Sequence, residues 1–303
     1  MTDTPDSGPS SAASSTSSHW RSRVLVGLCI GGATVLAIFW GGWFWTLFCL
    51  SMVLLCTQEL FGILAVKGLN PSRRLVITTS VVLLVMAQFQ QRQYLLPTLT
   101  IGTILSFVRL LFRWPQATIG DLAASLLATF YVGFLCAHFV LLRELGADAS
   151  PNPFEQVGLG YVLMTCLVVS ASDIGSYYTG KRLGKTPLFP NLSPKKTWEG
   201  ALGGACFAVL TGLICTALLP LPCFHGLVLS VLLVASAQLG DLVESLIKRD
   251  AGVKNSGVLL SGHGGFLDRL DSYLFSGAVA YYYLLWFVHQ EGIYRDIRSI
   301  IGS

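Results

Sequence analysis

The chain has 303 residues, 53% of them hydrophobic and only 12% charged, with a mean hydropathy of +0.64. A soluble domain carries about 25% charged residues, so this composition excludes an ordinary soluble enzyme and points to a multi-pass membrane protein. The formal net charge of +4 comes without a basic–aromatic patch, which argues against nucleic acid as a partner and assigns the charge to membrane topology.

The first twenty residues, MTDTPDSGPSSAASSTSSHW, are rich in Ser and Thr and nearly devoid of apolar side chains. Residues 1–22 are therefore expected to be a disordered tail ahead of an integral membrane domain, 23–303. The tail has no signal-peptide n-region, and Asp3 and Asp6 argue against a transit peptide, so the apolar segment from Val24 is expected to be a retained membrane helix. About 20 apolar residues cross a bilayer. The predicted fold is all-α and polytopic, with about nine transmembrane helices near 24–40, 42–58, 75–91, 94–112, 119–142, 157–179, 201–221, 226–247 and 272–289. The first five form an N-terminal group, about 24–142. The rest, about 157–289, carry the polar chemistry.

Alternating these spans across the bilayer puts sixteen of the twenty Lys and Arg on one side and Arg92, Arg143, Arg295 and Arg298 on the other. The richer side is expected to be cytoplasmic, with the N-terminus inside and the C-terminus outside. All eight cysteines lie in or beside apolar runs without a CxxC pair, as small buried hydrophobes do.

Polar residues then occur where lipid is expected. Asp173 lies late in the sixth span (VSASDIGSYYTGKRLGK), Asp241 and Glu244 late in the eighth (AQLGDLVESLIKR), and Asp268 and Asp271 open the ninth (GHGGFLDRLDS). A charge at membrane depth costs about 2.5–3.5 kcal/mol even on insertion scales. By topology all five acids share one side. Asp241 and Glu244 share a helical face, as do Asp268 and Asp271, and Ser245 joins the first face. Any one acid can be read as a solvated helix end. Five of them converging with seven or more cations suit a hard cation and phosphate instead, hence phosphoryl or nucleotidyl transfer at a membrane surface.

The polar segment GKRLGKTPLFPNLSPKKTWEG carries five cations and three prolines, too polar to span and too proline-rich for a long helix. It is either a cytoplasmic loop obeying charge topology or a phosphate-holding loop, with Lys195 and Lys196 following Ser193-Pro194. Gly262, Gly264 and Gly265 either admit a ligand close to backbone or make a tight turn. His263 is a metal ligand, a proton donor or a phosphate hydrogen-bonder; with no second His nearby, a His-based zinc site is not expected.

Ser245–Ser272, SLIKRDAGVKNSGVLLSGHGGFLDRLDS, resembles the signature of the phosphatidate cytidylyltransferase (CDP-diacylglycerol synthase) family, at Ser245, Lys248, Arg249, Lys254, His263, Gly264, Gly265, Asp268, Arg269 and Asp271. The segments GDLVES and SDIGSYYTGKRLGK…SPKKTWEG are similar to further motifs of that family. The resemblance departs at Asn255, where the family has an acid, and at Ser261, where it has proline. It implies transfer of CMP from CTP to phosphatidate, giving CDP-diacylglycerol and pyrophosphate, with Mg²⁺ and room for a second cation. The phosphatidate phosphate is already an anionic nucleophile, so the demand is charge neutralisation and in-line approach.

On this resemblance Asp241, Asp268 and Asp271 hold metal, with Asp173 and Glu244 as further candidates. Lys195, Lys196, Lys248, Arg249 and Arg269 meet phosphates, Lys181, Ser193, Ser245, Lys254, Gly264 and Gly265 complete the substrate site, and His263 orients or protonates the leaving pyrophosphate. The expected setting is a bacterial inner membrane with a cytoplasm-facing site; a homodimer is one expected assembly. Alternatives are a cytidylyltransferase or phosphotransferase for another lipid phosphate, and a cation-coupled transporter, which would place its polar residues near the midplane of several helices.

Overall fold

A computed structural model of the chain describes residues 27, 29–147, 152, 156–257 and 265–289. Its helices are α1 (Cys29–Trp40), α2 (Gly42–Val66), α3 (Arg73–Gln88), α4 (Leu95–Arg113), α5 (Ile119–Ala128), α6 (Leu135–Glu144), α7 (Val157–Leu183), α8 (Trp198–Thr216), α9 (Cys223–Asp250) and α10 (Leu267–Tyr283). A π-turn, Thr129–Phe134, joins α5 to α6 in one 26-residue helix, Ile119–Glu144, and a second, Leu284–Val288, extends α10. In hydrocarbon every backbone amide needs an internal partner, and only the helix supplies one within a single segment.

The helices follow the nine expected segments in order. Among the described residues six are long and apolar enough to cross a membrane: Gly42–Val66, Arg92–Arg113, Ile119–Glu144, Val157–Leu183, Trp198–Thr216 and Cys223–Asp250. α1, α3 and α10 are shorter, with 16 residues in α3 and 17 in α10. The protein is an all-α polytopic membrane protein. The expected tail, 1–22, lies outside the described residues.

Large apolar side chains stay exposed along α4, including Leu96, Ile101, Phe107, Leu111 and Phe112, as lipid-facing surface requires. The seam between α7 and α8 is packed by small residues. Ser172, Ser176 and Gly180 of α7 are spaced four apart and face Gly204 and Gly200 of α8; a Cβ on Gly204 would lie 2.6 Å from the Ser172 carbonyl oxygen. Helices without a hydrophobic drive to associate pack through such close backbone approach.

The polar segment after α7 is neither helix nor open loop. It forms an antiparallel hairpin of β1 (Pro187–Phe189) and β2 (Ser193–Thr197), with Pro187 opposite Thr197 and Phe189 opposite Ser193. Proline blocks helix here but is tolerated on a two-stranded ribbon, where every strand is an edge. The Thr197 hydroxyl caps α8 by accepting from the Gly200 amide at 3.2 Å, and the Glu199 carboxylate accepts from Lys185 and Thr186 amides at 3.1–3.3 Å. The hairpin is thereby tied at its base to α8.

Candidate active site

Three helices converge at the end of the bundle that holds the hairpin. α7 packs along α8, and α9 along α10. The α9–α10 contact is close because position 240 has no side chain: a Cβ there would lie 2.4 Å from the Asp271 carbonyl oxygen. Gly240 precedes Asp241, so this approach sets Asp241 of α9 beside Asp271 of α10. Between α7, α9 and α10 lies a cavity of about 510 Å³ lined by acids (Asp173, Asp241, Glu244, Asp268, Asp271), cations (Lys248, Lys254, Arg269) and the polar side chains of Asn255, Ser272 and Tyr273. The Tyr273 hydroxyl and Ser170 hydroxyl share a 2.8 Å hydrogen bond that ties α10 to α7.

The acids are not equivalent. Asp268 gives Oδ1 to the Lys248 ammonium at 2.6 Å, while Oδ2 accepts from the Gly265 amide at 2.8 Å and the Ser256 amide at 3.5 Å. Glu244 is 1% exposed and pairs with Lys248 one turn on. Asp241 pairs with Lys196 at 2.5 Å. Asp271 is buried and accepts from the Ser272 amide at 2.6 Å. Asp173 contributes its side chain from α7.

Lys196 of β2 is half-buried and reaches Asp241, while its neighbour Lys195 is exposed. Of the other expected substrate contacts, Lys181 lies over the Tyr177 ring at 5.8 Å, Arg249 donates to the Val253 carbonyl oxygen at 3.3 Å, Ser193 begins β2, and Ser245 is half-buried on α9. These four and Lys195 are not among the cavity-lining residues. His263 and Gly264 lie outside the described residues, and Gly265 enters the site through its amide.

Among the described residues no three acidic, histidine or cysteine side chains form a ready-made metal cage. Mg²⁺ does not ask for one: it keeps several waters and takes one or two carboxylates together with substrate phosphates. Carboxylates facing a polar cavity, with Asp241 now paired with Lys196 and Asp268 with Lys248, fit that requirement.

The sequence profile of the Cytidylyltransferase family matches residues 21–287, a stretch that contains every residue of this cavity. The chain belongs to the cytidylyltransferase family. It is 36% identical over 272 residues to a phosphatidate cytidylyltransferase of Synechocystis sp., covering 81% of this chain and 89% of that one. It is 35% identical over 271 residues to a phosphatidate cytidylyltransferase of Brucella suis biovar 1, covering 87% and 93%. Phosphatidate cytidylyltransferase 5, chloroplastic, of Arabidopsis thaliana is 34% identical over 289 residues, covering 87% and 71%.

Sequence reasoning about this cytidylyltransferase missed four contributors. Gly240 stands inside a motif singled out for its acids, and its signal is the absence of a side chain next to Asp241. Thr197 and Glu199 follow the two lysines and build the hairpin base; a Thr just before an apolar run is a legible N-cap signal. Glu59 lies in α2, some two hundred residues from the signature, and touches the start of α10. A lone acid inside an apolar run was its only signal.

Proposed function

We propose that the chain transfers CMP from CTP to phosphatidate, giving CDP-diacylglycerol and pyrophosphate. The observation that carries the reading is the cavity of interleaved carboxylates and cations at one end of a membrane bundle, in a chain of the cytidylyltransferase family. One substrate is a lipid and the other a polyanion, so the site has to lie where hydrocarbon meets water. The phosphatidate phosphate oxygen attacks the α-phosphorus of CTP, the bond to the β-phosphate oxygen breaks, and pyrophosphate leaves. No strong base is needed, since the nucleophile is already an anion. Lys248, Lys254 and Arg269, with Lys196 at the rim, offset the repulsion between the two phosphates. Asp241 and Asp271, with Asp173 beside them, would hold Mg²⁺, which when bound supplies charge neutralisation at the phosphoryl oxygens. Asp268 keeps Lys248 oriented.

The cation-rich side is taken as cytoplasmic, the compartment that supplies CTP. The grouping of these cations on one side is supported by Lys67 at the end of α2, which pairs with Asp250 at the end of α9. An even number of crossings between those two ends, with α3 as one of them despite its length, agrees with this pairing. A 16-residue helix rises about 24 Å, and flanking residues or local thinning cover the remainder.

The test is protein purified in detergent, supplied with CTP, Mg²⁺ and phosphatidate, with pyrophosphate release followed. Release that requires both substrates and Mg²⁺ is the expected result. Failure with phosphatidate, or equal release without a lipid phosphate, overturns the reading.

A further inference from the structure

α2 supplies a carboxylate to which the reaction assigns no step. Glu59 is 5% exposed, and neutral donors converge on it. The Phe266 amide donates to Oε1 at 2.8 Å, the Leu267 amide to Oε2 at 2.8 Å, and the Ser256 hydroxyl to Oε2 at 3.3 Å. The two amides belong to the first turn of α10, where N–H groups have no acceptor inside the helix and the helix dipole favours negative charge. The third donor stands on the segment that leaves α9.

Asp268 accepts from neighbouring atoms, the amides of Gly265 and Ser256. The start of α10 is therefore gripped twice: once by its own Asp268 and once by a residue of a helix about two hundred positions earlier. The packing around Glu59 leaves no slack. A Cβ on Gly257 would lie 2.8 Å from Oε1, and one on Gly265 would lie 2.6 Å from Oε2.

We propose that Glu59 is a positioning residue for the metal-binding end of α10. It fixes the first turn of that helix, and with it Asp271 one turn on, against Asp241 of α9. The inference rests on the reading of Asp241 and Asp271 as the Mg²⁺ carboxylates. A carboxylate is required and not merely a side chain of that size. Each oxygen accepts from a different amide, and a Gln in its place would turn an NH₂ group toward one of those donors.

The test is metal binding by the full chain in detergent, read from the free-ion EPR signal of Mn²⁺ and from its competition by Mg²⁺. Three variants are compared with the natural protein. Glu59→Gln removes one acceptor. Glu59→Asp keeps both acceptors but withdraws them by a methylene. Thr57→Val, one of the buried α2 positions, replaces a hydroxyl that has no hydrogen-bond partner among the described residues and serves as a packing control. Glu59→Gln is expected to weaken Mn²⁺ by about 10-fold or more, the usual effect of losing support behind a metal ligand. Glu59→Asp is expected to fall between, and Thr57→Val to keep the natural affinity even if its melting temperature moves.

A monodisperse Glu59→Gln protein with natural Mn²⁺ affinity overturns the inference. Where that variant does not fold, Glu59→Asp decides alone: weaker binding supports the inference and unchanged binding overturns it. Absence of Mn²⁺ binding by the natural protein overturns both this inference and the metal reading. Natural protein that binds Mn²⁺ but releases no pyrophosphate overturns the enzymatic reading, and the role of Glu59 is still read from the affinities.

Discussion

Asp268 and Asp271 stand one turn apart on α10, yet Asp268 accepts from Lys248 and from two backbone amides, while among the described residues Asp271 accepts from the neighbouring Ser272 amide. Their replacement by Asn is expected to separate two effects. Asp271→Asn keeps shape and loses charge, so pyrophosphate release should fall by about 100-fold or more, the scale of losing a preorganised charge-stabilising group. Its melting temperature in detergent should stay near that of the natural protein. Asp268→Asn also leaves Lys248 with Glu244 as its single acidic partner, and should cost about 1–3 kcal/mol of stability besides activity. Equal melting of both variants would contradict this division. Asn255 lines the same cavity where the family carries an acid. Asn255→Asp is expected to lower the Mg²⁺ concentration for half-maximal activity by about 10–100-fold, as a changed residue behind a metal ligand does. Superimposable Mg²⁺ titrations would remove position 255 from metal binding.

At the scale of elements, the site is made by how closely helices approach. Gly240 lets α9 lie against the backbone at Asp271. Gly240→Ala should push α10 outward at that residue, and a displacement of about 1 Å from productive geometry can cost on the order of 100-fold in rate. Activity should therefore fall much further than stability. Gly204→Val acts on the other helix pair, where Ser172 and Ser176 fill the space. It is expected to lower stability by about 1–3 kcal/mol through overpacking, read as a drop in melting temperature. The hairpin is legible only in part. Its prolines exclude a long helix, but the pairing of Pro187 with Thr197 depends on Glu199 and Thr197 holding both ends to α8.

For the whole molecule, the expected orientation places the hairpin on the cytoplasmic side and Asn152 on the other. In a background without the eight native cysteines, a cysteine at Thr186 should be blocked only by membrane-permeant reagents in intact cells. One at Asn152 should react with impermeant ones. The reverse pattern would turn the site away from CTP. Charge counting carries this expectation but does not say what each charge does. Arg143, one of the four cations on the poorer side, is fully buried and donates to the Ile38 carbonyl oxygen at 2.9 Å and the Gln156 side-chain oxygen at 2.8 Å. It braces α1 and α6 at the end opposite the site.

By itself the sequence determined the membrane class, the order of the helices and the convergence of five acids on one side. Those features follow from hydrophobic length and from counting crossings, and neither needs a contact to be known. It also determined the family, because Ser245–Ser272 holds its charged residues at fixed local spacing. The tertiary structure alone decided which acids face the cavity and which are already satisfied, since hydrogen bonds to Gly265 and Ser256 depend on where the chain returns. It alone joined Glu59 to α10 and Lys67 to Asp250. Pairings between residues about two hundred positions apart leave no periodic trace in either segment; they arise when backbones close enough to exclude a Cβ bring buried polar groups within reach of each other.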